Sequence, residues 1–132
     1  MGKTPRKTRQ AIEALTEVEL EMMTIIWRIG ACSVAQILAS LPPERPLAYT
    51  SVSTIVRILE QKGFVSSEKE GRGHRYDAVV AKVEYQARSL NHLISGVFDG
   101  APSLLVRRLL ADAGLTKDDL AEIKKIIENR GP

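Results

Sequence analysis

Between Phe64 and Val79 the hydrophobic period of the chain switches from 3.6 to 2, and from Val80 it switches back. Phe64-Val65-Ser66-Ser67-Glu68-Lys69-Glu70 reads as a strand, Gly71-Arg72-Gly73-His74 as a turn, and Arg75-Tyr76-Asp77-Ala78-Val79 as the returning strand. A lone hairpin is marginal in water, so this one must lean on helices. The expected class is mainly α with one small β-hairpin. Composition agrees. Of 132 residues, 44% are apolar but only six are aromatic, so the core must be built from Leu, Ile, Val and Ala, which suits helices.

Three helices precede the hairpin. Thr16 and Glu19 form a capping box, with Leu15 and Leu20 placed for a hydrophobic staple. Met22, Met23, Ile25, Ile26 and Ile29 follow as a core stripe, with Trp27 among them, and Gly30 stops the helix. Ser33 and Gln36 repeat the capping signal; Val34, Ile37, Leu38 and Leu41 carry the second helix until Pro42 and Pro43. Cys32, just before it, reads as a small apolar plug. After the connection PPERPLAY, Val52, Ile55, Val56 and Leu59 mark a third helix, which Lys62 and Gly63 close.

Three more helices follow the hairpin. Val83, Ala87, Leu90, Ile94 and Val97 are spaced 4, 3, 4, 3, a coiled-coil-like seam. Asp99-Gly100 breaks it, Pro102 opens the next helix, and Gly114 closes that one. Thr116 and Asp119 resemble another capping pair, with Leu115 and Leu120 as its staple, ahead of Ile123 and Ile127. The expected organisation is a basic arm over 1–13, a first domain over 14–79, and a helical domain over 80–130.

Several classes are excluded or disfavoured. No apolar run approaches the ~18 residues that span a bilayer. The basic start, MGKTPRKTRQ, precedes no apolar segment of a secretory signal, and Arg6 stands where a myristoylation motif has Ser or Thr. One cysteine excludes an internal disulfide and a cysteine-built metal site. His74, His92 and Cys32 are scattered, so neither a catalytic grouping nor a cofactor is expected. The expected compartment is the cytoplasm. The net charge of +3 lies wholly in residues 1–75, with 11 Lys and Arg against 8 Asp and Glu; residues 76–132 balance at 8 and 8.

The third helix points to a partner. At about 100° per residue, Val52, Ile55, Val56 and Leu59 fall on one side. Thr50, Ser53, Thr54, Arg57 and Gln61 fall on the other, flanked by Tyr49 and Ser51. That outer face carries hydroxyls, an amide and a guanidinium, and no acid. Hydroxyls near a helix start suit phosphates, while Arg57 and Gln61 can pair with base edges. Helices two and three then form a helix-turn-helix, and the hairpin makes it a winged helix. The wing tip sets Lys69, Arg72, His74 and Arg75 against Glu70 alone, and Gly71 and Gly73 permit close backbone approach.

LTEVELEMMTIIW, SVAQIL, LAYTSVSTIVRILEQKGFV, the wing EKEGRGHRYDAVV and the later VFDGAPSLLVRRLLADAGLTKDDL together resemble the penicillinase and methicillin-resistance repressor family (BlaI/MecI/CopY), over about residues 14–128. The resemblance implies a homodimeric repressor of resistance genes and of its own operon, with a winged-helix domain and a helical dimerisation domain on a palindromic operator. Position by position, it implies DNA contacts at Tyr49, Thr50, Ser51, Ser53, Thr54 and Arg57, with Arg72 and Arg75 on the wing. Copper-responsive members carry a cysteine cluster near the C-terminus that this chain lacks. Penicillin-responsive members are cut by a membrane sensor protease at an Asn–Phe bond; the matching bond here is Arg108–Leu109.

The helical domain is too small to close a stable core alone. Val83, Leu90, Ile94, Val97, Phe98, Leu105, Leu109, Leu110, Ile123 and Ile127 are therefore expected to pack against a second copy with two-fold symmetry. Two readings on the same fold stay open: release from DNA by a small ligand, and a winged helix used for protein contacts only.

Overall fold

The computed structural model describes residues 14–130. The elements are α1 (Glu17–Ile29), α2 (Val34–Ala39), α3 (Tyr49–Gln61), β1 (Val65–Glu70), β2 (Gly73–Ala78), α4 (Lys82–Gly96), α5 (Pro102–Asp112) and α6 (Lys117–Asn129). The basic arm over 1–13 lies outside the described residues. The chain divides into two compact units, one reaching to Ser89 and one starting at Leu90, so the division falls inside α4. None of the helices is long and apolar enough to cross a membrane, among the described residues.

In the first unit, α1, α2 and α3 surround one core, closed by the hairpin. Thr16, Ser33 and Thr116 all make complete capping boxes, the side-chain oxygen accepting from the third residue's N–H while that residue's side chain accepts from the cap's own. Met22, Met23, Ile26, Ile37, Val52, Val56, Leu59 and Phe64 are essentially fully buried. Of the expected staple pair, Leu15 packs on the core and Leu20 is exposed. The Leu15 N–H donates to the Tyr85 hydroxyl at 3.0 Å. Tyr85 also sets its ring against Trp27 and Phe64, and Trp27 Nε1–H donates to the Val80 carbonyl at 2.9 Å. The start of α4 thus belongs to the first unit.

The hairpin is tighter than its sequence suggests. Glu70 pairs with Gly73 and Lys69 with His74, so the second strand starts at Gly73 and only Gly71 and Arg72 form the turn. Gly71 has φ 61, the positive value that a two-residue hairpin turn with Gly in first place requires. Cys32 pairs with Tyr76 through both backbone bonds, at 2.9 and 2.7 Å, and so anchors the wing to the segment before α2. Its side chain is buried, and burial pushes the thiol up. Cys32 should resist alkylation in the native state at neutral pH and react at once in denaturant, which a timed thiol titration reads.

The second unit contains the rest of α4 with α5 and α6. Its helices stop where Gly100 (φ 73) and Gly114 (φ 66) turn the backbone, and Pro102 starts α5. Helix α4 ends at Gly96, so Val97, the last position of the expected seam, lies past the helix; glycine there weakens the final turn. No residue from Asp77 to Arg130 is buried.

Candidate nucleic-acid interface

Helix α3 is held from both ends. Arg45, in the connection before it, makes a forked pair with Glu21 of α1, Nε to Oε2 and Nη2 to Oε1 both at 3.0 Å. Lys62, just past its end, places Nζ at 2.8 and 3.0 Å from the two oxygens of Glu19. Glu19 is buried and also serves the Thr16 capping box. Burial pushes its carboxyl up, but hydrogen bonds from Lys62 and Thr16 and the Lys62 charge outweigh this and hold it below its ordinary value.

So fixed, α3 buries Val52, Val56 and Leu59. It exposes Tyr49, Thr50, Ser51, Thr54, Arg57 and Gln61, with Ser53 half-buried. Its first turn carries no acid and its cap residue, Ala48, makes no side-chain bond. The positive end of the helix and its N–H groups therefore face outward, an arrangement that favours anions.

Tyr49, Ser53 and Arg57 line a groove of about 540 Å³ whose other wall is the wing, through Arg72, His74 and Tyr76. The expected residues divide accordingly. Tyr49, Ser53, Arg57 and Arg72 meet in the groove, whereas Thr50, Ser51, Thr54 and Gln61 lie on the open face beside it. Arg75 is on the wing flank, 3.7 Å from Glu70, an exposed pair too weak to hold it. Arg57 Nη2–H reaches Ser53 Oγ at 3.4 Å, a long bond that leaves the guanidinium available. Burial raises the Tyr76 phenol, with a further push from Glu60.

Glu60 is the residue missing from the expected face. It lines the same groove, and its Oε2 accepts from Ser67 Oγ at 2.7 Å. The face is therefore acid-free only on its open side. Three positions after Arg57, Glu60 is one turn along the same helical edge, and that spacing was the signal available in the sequence.

In the second unit the expected apolar positions are open to solvent or partly so. Leu90, Val97, Leu109, Leu110 and Ile127 are exposed; Ile94, Phe98, Leu105 and Ile123 are half-buried. Val83, in the first unit, is exposed as well. Leu93, Leu104, Val106, Leu120 and Ile126 are exposed too, and a strict seven-residue seam does not capture them. Arg108–Leu109 lies within α5, where Arg108 pairs with Asp112.

A helix-turn-helix followed directly by a two-stranded antiparallel hairpin defines a winged-helix domain. The family model described as penicillinase repressor matches residues 15–129, and the chain belongs to that family. It is 31% identical to the transcriptional regulator BlaI of Mycobacterium tuberculosis over 125 residues, covering 89% of this chain and 91% of that protein. It is 22% identical to the methicillin resistance regulatory protein MecI of Mammaliicoccus sciuri, covering 88% and 94%. Among solved structures, a CopR repressor is 33% identical over 51% of this chain and 97% of its own, with a TM-score of 0.44.

Proposed function

We propose that this chain is a homodimeric, sequence-specific DNA-binding repressor that acts in the cytoplasm on a palindromic operator. The observation that carries this is the groove in which Tyr49, Ser53 and Arg57 of α3 face Arg72 of the wing. The groove holds the cations and the open face beside it carries hydroxyls and an amide, the groups that contact phosphates and base edges. Protein contacts alone would not call for that chemistry. Dimerisation is supported by the second unit, which has no buried residue among those described and exposes large apolar side chains on all three helices. The name of the MecI relative, a methicillin resistance regulatory protein, supports a place in antibiotic-resistance regulation.

Release by proteolysis, the route the family resemblance suggests, falls at Arg108–Leu109. Proteases bind extended backbone, so α5 must open before that bond is presented.

The test is a fluorescence titration of variants on a duplex selected from a random pool and on random duplex, across a salt series. Arg57→Ala costs about 1–3 kcal/mol on the selected duplex and little on random DNA, as expected for a guanidinium on guanine O6 and N7. Arg72→Ala, at the turn, weakens both alike and reduces the salt slope by about one unit. Equal losses on both duplexes for Arg57→Ala would remove base reading from α3.

A further inference from the structure

Glu60 is the one carboxylate among the residues lining the groove. Ser67 of β1 holds it in place through the 2.7 Å bond to Oε2. Among the described residues no Lys, Arg or His forms an ion pair with it. A carboxylate outside any direct ion pair therefore sits on the surface that Arg57 and Arg72 make attractive to a polyanion. Its other oxygen, Oε1, accepts no hydrogen bond from the described residues. A duplex settling into the groove must bring something to that oxygen. A phosphate or a base acceptor meets it with repulsion. The amino group of cytosine N4 or adenine N6 donates to it.

Resting on the DNA-binding reading above, we propose that Glu60 is a specificity-determining residue: it penalises duplexes that present phosphate or acceptor groups at this point and admits those that present a base amino group. Recognition by repulsion of the wrong partner is a general route to specificity, because it lowers the competing affinity without strengthening the correct one. Arg72 attracts any duplex and Arg57 reads a base edge; Glu60 acts against the wrong duplexes.

Glu60→Gln tests this, since the amide keeps an acceptor for Ser67 and loses only the charge. Affinity for random duplex rises roughly tenfold while affinity for the selected duplex does not rise with it. The ratio between them therefore falls by about the same factor, and a pool selected afresh by the variant loses its amino-group preference at that position. Ser67→Ala keeps the charge and removes the tie. The repulsion of random duplex persists, so the ratio falls by less than it does with Glu60→Gln. The opposite pattern, a ratio unchanged by Glu60→Gln and collapsed by Ser67→Ala, makes Glu60 a purely structural tie and overturns the inference while DNA binding stands. A wild-type protein that binds neither duplex overturns both. Circular dichroism melts of the two variants establish that each is folded in the titration.

Discussion

Lys62→Met lowers the unfolding free energy of the first unit by about 3 kcal/mol, because it leaves the buried Glu19 carboxylate without its cation. Glu19→Gln is milder, at about 1.5–2 kcal/mol, the low end of the range for a lost charged hydrogen bond. The asymmetry follows from which partner stays behind. The Lys62 side chain keeps 23% of its exposure and can turn to water, whereas that of Glu19 keeps only 8%. Urea unfolding of both variants measures it, and equal costs would mean that solvent reaches the pair from both sides.

The same pair sets an acid limit. The Glu19 carboxyl is lowered from its ordinary value of 4.5. A lowered acid contributes stability that is fully present above its unfolded value and is lost as the pH falls through its folded one. Wild-type stability should therefore fall as the pH drops below about 4.5, and Glu19→Gln should lose that part of the dependence. Stability measured from pH 6 to about pH 3 on both proteins reads the difference.

Local signals told the truth about local structure. Each capping box written as Thr16–Glu19, Ser33–Gln36 and Thr116–Asp119 formed, since its two bonds close within four residues. The apolar positions of α3 point inward as its period requires. Distant partners decide the rest. Val80 and Tyr85, just before and at the start of α4, are bound through Trp27 and Phe64, and the division between the units falls inside that helix. A helical wheel does not reveal Glu60, because it ranks residues by angle from the apolar side. It does not show that the wing folds back over one edge of the helix and turns a flank residue into groove lining.

Leu109→Asp is the second large effect. Leu109 is 40% exposed on α5, and in the dimer proposed here two-fold symmetry buries it twice. A carboxylate there must be desolvated in both copies. Light scattering at micromolar concentration should give a dimer for the wild type and a monomer for the variant. Binding to a two-half-site duplex should fall by about 10²-fold or more, because the second recognition helix no longer arrives as part of the same molecule. Binding to a single half-site should change little. A variant that remains dimeric with full affinity would place the subunit contact elsewhere.

The most direct measurement of the central claim is a footprint of the purified protein on duplexes it has selected from a random pool. One recognition helix per chain and a two-fold axis require two inverted half-sites about one helical turn apart, on the order of 10 bp centre to centre or a multiple of it. A repressor dimer should give a protected stretch with that dyad symmetry, lost when Arg57 is replaced by alanine. A short footprint without symmetry, or protection unaffected by Arg57→Ala, would contradict it.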